Sequence, residues 1–474
     1  MCKSKYHRSG MLLASIIAGG ALLSGCTDDP ESAQLRAIHA SPDAPAVNLR
    51  LDSVTGIRDL DYAESSGFER VSAGIQDVAV EAIIPGGNAD VITVPGFNFV
   101  KDNRYTVIAV NTAGNIEPLV ADESAADPAD DEVAIAVIHA STTASIVDVY
   151  VTTPGVDVNS VDPTFTFDFK DQIDAGALPA GSYQIQVTGQ GSKSVVFDSG
   201  PVDLTAFAGQ KLILAAINTT NSTTTAVSPV KLLVATDDAS LVLFDTRTGT
   251  GARVVHASPD AGTAAAGPVE VWATSTALPV SPTELIDAIV YEQVIPGPAS
   301  FASVPAGDYV FDVAPDTGMI GDSVYMSPSL ALAQGIEYTV VAAGYVTTSP
   351  EFRLLATAEN NRAVITQASV KVIHAAPAAG AVDVYVTPAG QFTADEVAGG
   401  QAGAPLLDDF EFPTITDYVA VTPDAYDIRV VAGGAVAINR ENISLVEGGV
   451  YTVIAREPID SGLPDDFDLI LLTN

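Results

Sequence analysis

Cysteine is nearly absent from this chain: among 474 residues there are only Cys2 and Cys26. Everything after residue 26 lacks a thiol, which excludes a disulfide framework, a thiolate metal site and a cysteine nucleophile from the body of the protein. Bases are scarce too, with 21 Lys and Arg against 59 Asp and Glu and a formal charge of −38. A field of that sign repels phosphate backbones, so nucleic acid is not an expected partner. Beyond the first 26 residues no apolar run is long enough to span a bilayer as a helix. No phosphate loop, dinucleotide fingerprint, zinc motif or Gly-x-Ser-x-Gly elbow occurs. What is present is a 47% hydrophobic composition with 17% charged residues. That is apolar material for several cores, and the length fits two to four domains.

The N-terminus reads as a leader. Lys3, Lys5 and Arg8 precede the apolar stretch 11–23, and "LSGC" follows at 23–26. This is a signal-peptide pattern. The last four residues resemble the lipobox of bacterial lipoproteins, which implies cleavage before Cys26 and a lipid on its sulfur. Residues 1–26 hold three bases and no acid, so their loss takes the formal charge from −38 to −41. The residue after the cysteine is Thr27 rather than the Asp that, in such lipoproteins, commonly marks inner-membrane retention. The expected location is therefore the bacterial cell envelope, lipid-anchored at the outer membrane.

Four of the five histidines stand in one recurring phrase: "AIHASPDAP" (37–45), "VIHAST" (137–142), "VVHASPDAG" (254–262) and "VIHAAPAAG" (372–380). His39, His139, His256 and His374 are 100, 117 and 118 residues apart, a domain-sized period. An alternating strand follows each one, at 47–51, 147–151, 269–273 and 382–386. Next comes a turn leading into a strand ("SAGIQDV", "PAGSYQI", "PAGDYVF", "TPDAYDI"). Then "RYTVIAV", "KLILAAI", "EYTVVAA" and "VYTVIAR" appear, and each unit closes on a short apolar segment. Period-two alternation between Pro, Gly and Asp turns, with five to seven strands per unit, predicts an all-β chain. We expect four tandem immunoglobulin-like β-sandwich repeats after the cleaved leader, at 34–121, 133–236, 251–357 and 369–474. Segment 281–294 is the best candidate for a helical turn or two. The acidic stretch 121–132 reads as a linker, and "SLVLFD" (240–245) as a strand that can still belong to the second unit.

The phrase around His39 resembles the DUF4397 family, extracytoplasmic domains marked by a Ser-Pro-Asp-Ala-Pro motif. The motif is intact at Ser41, Pro42, Asp43, Ala44 and Pro45. At Ser258, Pro259, Asp260 and Ala261 it is nearly so, with Gly262 last. It is degenerate at 376–379 and mostly gone at 141–144. The resemblance implies no particular activity, so the residues themselves must carry the functional reading.

Three roles for the repeated histidine compete. His39, Ser41 and Asp43 have the residue types of a hydrolase triad, but three residues in one turn do not give the required relay geometry. The fourth unit also keeps its histidine without the Ser or the Asp. One histidine per unit with a single later Asn48, Asp148, Glu270 or Asp383 is an incomplete metal site, since structural zinc wants about four ligands. The third role is structural: a histidine at a strand end can donate to one loop carbonyl and accept from one loop N–H. We expect this peg, with Pro42–Asp43 and Pro259–Asp260 shaping the turn and Asp bonding the backbone ahead. No catalytic residue and no metal-ligating residue is assigned.

Segments 127–132 and 463–468 are dense in carboxylates but do not follow the EF-hand order, so weak calcium binding is the only cofactor considered. Trp272 holds the outward slot that Tyr150 and Tyr385 hold elsewhere, either a binding surface or a packed outer face. The expected function is a non-enzymatic envelope protein. The lipid on Cys26 holds it to the membrane, and its tandem modules bind an envelope or extracellular protein or polysaccharide. A structural scaffold is the alternative, and a surface-polymer hydrolase a more distant one.

Overall fold

The computed structural model describes residues 31–220, 227–262, 267–277, 281–458 and 467–474. The leader and Cys26 lie outside the described residues, as does most of the acidic segment 463–468.

Repeat 1 contains β1 (Ser32–His39), β2 (Val47–Leu51), β3 (Val54–Leu60), β4 (Glu69–Ser72), β5 (Gly74–Ala82), β6 (Ala89–Phe99), β7 (Arg104–Val110) and β8 (Glu117–Asp122). They form two four-stranded sheets, ordered β4-β1-β7-β8 and β3-β2-β5-β6. Side chains of both sheets meet in one core that includes Leu35, Val47, Leu49, Val78, Phe99 and Tyr105. The sandwich expected from the period-two pattern is present, with a strand order of its own. The first strand is central and runs parallel to β7, His39 standing opposite Ala109. In the immunoglobulin constant order the first strand lies at an edge.

The same plan recurs three times. Repeat 2 has β9 (Glu132–His139), β10 (Val147–Thr152), β11 (Phe165–Phe167), β12 (Gln172–Pro179), β13 (Ser182–Gly189), β14 (Val195–Asp203), β15 (Lys211–Asn218), β16 (Val230–Ala235) and β17 (Ser240–Leu243). Its β17 adds a fifth strand beside β16. Repeat 3 has β18 (Thr250–His256), β19 (Val269–Ser275), β20 (Thr283–Ile289), β21 (Val294–Ile295), β22 (Ala302–Val304), β23 (Gly307–Pro315), β24 (Tyr325–Met326), β25 (Leu330–Leu332), β26 (Glu337–Ala343) and β27 (Arg353–Glu359). Repeat 4 has β28 (Ala368–His374), β29 (Val382–Pro388), β30 (Leu407–Phe410), β31 (Val419–Val421), β32 (Asp424–Ala432), β33 (Ala435–Leu445), β34 (Val450–Arg456) and β35 (Asp468–Thr473).

One expectation is overturned here. The stretch 281–294 is not helical: Thr283–Ile289 is a strand paired with β19. Its apolar residues Leu285, Ile286 and Ile289 mimic a helical spacing, but two register shifts along this edge strand produce that pattern. Among the described residues the α-helix is instead α1 (Ala394–Ala398). Thr393 and Glu396 form a capping box at its start. It covers the outer face of repeat 4, where Val397 packs on Tyr385.

The first strand of each repeat is apolar on both faces because both faces are buried. Leu35 and Ala37 point into the sandwich, while Ile38 and Ala40 point out of it. The outward set meets Ile138, Ala140, Ile213, Ala215 and Leu233 of repeat 2. Repeats 3 and 4 meet in the same way through Val255, Ala257, Val341, Ile373, Ala375 and Ile454. The four sandwiches are therefore two face-to-face pairs. The pairs touch through the segment between β27 and β28: Ile365 N–H donates to the Asp43 carbonyl at 3.0 Å, and Arg362 engages the Ala44 carbonyl and Asp61.

A buried arginine sits at each pair interface. Arg36 is fully buried, donates to Thr106 Oγ1 at 2.7 Å, and makes a two-pronged pair with Glu123 at 2.8 and 2.9 Å. It also reaches the Thr236 carbonyl of repeat 2 and lies 4.6 Å from the Phe68 ring centre. Arg253 repeats the set with Thr339, Glu359, Phe301 and the Thr473 carbonyl of repeat 4. Glu123 belongs to the stretch expected to be a solvated linker. Instead it is buried, and Lys211 donates to its carbonyl at 3.0 Å. A desolvated pair contributes little net stability, yet losing one member leaves a bare buried charge. Glu123→Ala is expected to cost about 3–5 kcal/mol, whereas Arg36→Met with Glu123→Leu costs much less. Urea unfolding of the three proteins checks this; equal losses in both variants would contradict it.

Candidate functional site

The four histidines occupy the inward-facing side of the last residue of β1, β9, β18 and β28, where the chain leaves the core for a turn. Every Nδ1 accepts the backbone N–H two residues on: Ser41, Ser141 and Ser258 at 3.3 Å, Ala376 at 3.2 Å. That acceptor role fixes the neutral tautomer with its hydrogen on Nε2. Nε2 then donates to a carbonyl six residues on: Pro45 at 2.9 Å, Ser145 at 3.1 Å and Gly380 at 2.9 Å. In repeat 3 a five-residue insertion makes Gly267 the counterpart. Its carbonyl acts on His256 without closing to ordinary hydrogen-bond geometry. An aromatic ring packs edge-on against each imidazole: Tyr62, Phe169, Tyr291 and Phe412, at 5.9–6.4 Å between centres. Both ring nitrogens are thus committed to the fold in repeats 1, 2 and 4, as the peg requires.

Burial pushes His39 down to about 4, with the Pro45 bond opposing and Arg362 adding to the shift. Burial likewise holds His256 at about 4 and lowers His374. A proton on any of these rings would cost Nδ1 its acceptor role.

Asp43 and Asp260 do something the sequence did not indicate. They do not chiefly brace their own turn; they cross to the loop after the parallel strand. Asp43 accepts Ala113 N–H at 2.7 Å, and Asp260 accepts Val346 N–H at 2.8 Å and Thr347 N–H at 3.1 Å. Repeats 2 and 4 lack this aspartate, and the polarity of the joint reverses. Asn218, at the end of β15, accepts from Thr142 N–H at 2.9 Å and Ser141 Oγ at 2.7 Å. Glu457, just after β34, accepts Ala378 N–H at 2.9 Å. The degenerate motifs are therefore compensated from the opposite loop. Ser258 Oγ donates to the Gly344 carbonyl at 2.7 Å, while buried Ser41 Oγ makes no such bond. Pro42 and Pro259 sit in the turns between these anchors. His39, Ser41 and Asp43 form no relay: His39 and Asp43 bond backbone, Ser41 Oγ has no partner, and Asp43 bonds away from the imidazole.

Among the described residues there is no group of three or more His, Cys, Asp or Glu placed to hold a metal ion. Tyr150 and Tyr385 are buried on the outer face of their sheets, Tyr150 with Lys193 4.7 Å from its ring centre. Their slot is packing, and Trp272 is half-buried in the same position.

A sizeable cavity lies inside repeat 2. It measures about 210 Å³, against about 40 Å³ in repeats 3 and 4 and about 10 Å³ in repeat 1. Its walls are the inward residues of both sheets, from His139 and Val147 at one end to Leu178, Tyr183 and Phe207 at the other. At roughly 24 cal/mol per Å³, a dry space of this size forfeits about 5 kcal/mol of packing.

A family model described as "Domain of unknown function (DUF4397)" matches residues 33–150 and 250–385. The chain belongs to the DUF4397 family. Each match starts in the first strand of an odd-numbered repeat and ends inside the second strand of the next. One DUF4397 domain as the family draws it therefore takes in a whole sandwich and the opening strands of its partner. No curated protein matches the chain. Among solved structures it is similar to the Bacillus anthracis TIE protein, at 11% identity over 90% of this chain and 68% of that one, with a TM-score of 0.16.

Several functional positions escaped the sequence reading. Arg36 and Arg253 stand three residues before their histidines ("RAIH", "RVVH"), a signal present only in the odd repeats. The aromatic partners of the histidines follow at variable distance, which hides them. Leu212 breaks the "YTV" phrase, and that break marks the cavity.

His39→Asn is expected to cost about 1–3 kcal/mol at pH 7, because a buried carbonyl and N–H lose their partner. The folded pKa of His39 is depressed, so its contribution is complete above the unfolded value near 6.5. It is lost as pH falls toward 4, where the unfolded chain alone takes the proton. The difference between wild type and variant should therefore narrow from pH 7 to pH 4. Urea titrations at four pH values test this; a constant gap would refute it.

Proposed function

We propose that this protein is a non-enzymatic, lipid-anchored component of the bacterial cell envelope whose paired sandwich modules bind a protein or polysaccharide at the cell surface. The observation that carries this reading is the fate of the recurring polar residues. His39, His139 and His374 bond backbone through both ring nitrogens, and Asp43 and Asp260 accept backbone N–H groups of the opposite loop, which supports a scaffolding role for the repeated motif over a reaction centre. The remaining surface is acidic and differs from repeat to repeat, as suits modules that share a frame and vary in what they touch. The lipobox at 23–26 and the leader before it support an anchor through Cys26.

A scaffold role is favoured by a different observation. Burying one sheet face of each sandwich on its neighbour, with an arginine at each interface, makes a stiff body out of four modules.

Two experiments separate these readings. Cys26→Ser should shift the protein from the membrane fraction to the soluble fraction of fractionated cells; unchanged membrane retention would refute the anchor. The mature chain immobilised on a column should retain a defined soluble protein or surface polysaccharide. Retention of nothing but its envelope neighbours would favour the scaffold.

A further inference from the structure

The cavity in repeat 2 is explained by three positions. In repeat 1 the rings of Phe97, Phe99 and Tyr105 pack edge to face, with centres 4.7–5.5 Å apart, and plug that end of the sandwich. Strand register places Val202, Leu204 and Leu212 at the same positions in repeat 2. Repeat 3 has Leu330, Leu332 and Tyr338 there, and repeat 4 has Ile443, Leu445 and Tyr451. Three aromatic rings leave about 10 Å³, one ring leaves about 40 Å³, and none leaves about 210 Å³. Each of the three tyrosines also accepts the N–H five residues before it, at 3.1–3.2 Å. In repeat 2 the loop is two residues longer, and the corresponding N–H, that of Thr205 just after Leu204, donates to Asp203 Oδ1 at 2.9 Å. The loop has been rebuilt around the absence of the ring.

We propose that the interior of repeat 2 is a binding site for a medium-length alkyl chain carrying an uncharged head group. The walls argue for hydrocarbon: apolar residues from strands of both sheets line the space, and the polar side chains bordering it are His139, Thr164 and Tyr183. His139 is committed to backbone on both nitrogens, and Tyr183 Oη donates to the Pro179 carbonyl at 2.8 Å. Neither is free to hold a polar ligand. The shape argues for a chain over a ring. β9, β10, β13, β15 and β16 each contribute three alternate residues, which at about 3.3 Å per residue makes a slot roughly 13 Å long. The volume exceeds the roughly 150 Å³ that suffices for benzene in an apolar core, and falls short of pockets that swallow a whole drug-sized molecule. A tail therefore enters and its head stays outside. Among the lining residues, Thr164 beside the short strand β11 and Leu241 of β17 are exposed, and Phe165 and Leu178 are half-buried, so an edge of the sandwich is where a tail would enter. The strands bounding the slot carry exposed Asp168, Asp174 and Asp203, and the nearby cations Lys170 and Lys211 are engaged by Glu117 and Asp127. A carboxylate head is disfavoured in that field.

The inference goes beyond adhesion and does not depend on it: failure to bind alkyl chains leaves the column experiment standing, and the reverse also holds. The test is calorimetric titration of the mature chain carrying Cys26→Ser with 1-octanol and with octanoate. The expected result is saturable, one-to-one binding of 1-octanol with a negative heat-capacity change, and octanoate at least tenfold weaker. Leu212→Phe and, separately, Val202→Phe put back a ring that repeat 1 or its siblings carry, and each should reduce 1-octanol affinity at least tenfold with the circular dichroism spectrum unchanged. Absence of saturable 1-octanol binding, or equal binding by wild type and both folded variants, would overturn the site. Equal affinity for octanoate would overturn the uncharged head group.

Discussion

Everything in this molecule hangs on one strand pairing: in each repeat the histidine strand lies inside its sheet, parallel to a strand from late in the unit, β7, β15, β26 or β34. A central parallel strand is buried on both faces and has no edge to offer water. Its apolar residues therefore serve two cores at once, the sandwich on one side and the neighbouring repeat on the other. Where such a strand ends, its backbone groups emerge in a dry place and must be satisfied. An imidazole reaching two residues ahead with one nitrogen and six ahead with the other does that in a single side chain. In repeats 1 and 3 the same strand carries the arginine that meets the next repeat, so interior, interface and loop are one connected problem.

The two members of a pair are not equivalent. The odd repeats hold the loop after the parallel strand from the histidine side, through Asp43 and Asp260. The even repeats hold the histidine loop from the other side, through Asn218 and Glu457. Tyr62 and Tyr291 extend the asymmetry: their hydroxyls donate to the carbonyls of Asn218 and Glu457 across the interface. An odd sandwich thus donates into the joint that its even partner has built.

Much of this was legible in the sequence. Period-two alternation and the fourfold phrase reveal an all-β repeat architecture, because both depend on neighbours a few residues apart. The histidine's role was legible from its persistence at 139 and 374 after its companions had gone. What resisted reading depends on partners far away in the chain. Nothing local to "ADESAAD" says that Glu123 will be buried under an arginine 87 residues earlier. The turn aspartate could be seen as a bonding residue, but not that its bond crosses to another loop. Residues 283–289 look helical because strand bulges shift an apolar pattern off period two. The pairing of repeats was hinted at only by first strands too apolar for a sheet with one wet face.

Pairing through a sheet face also sets an arithmetic on chains of this kind. Each sandwich has one apolar outer face, and a partner sandwich consumes it. An added or deleted single repeat would strand one such face in solvent, where it would seek the same face on another molecule. The unit that evolution can copy freely is therefore the couple and not the single sandwich. A chain that ended on an odd count would be expected to dimerise.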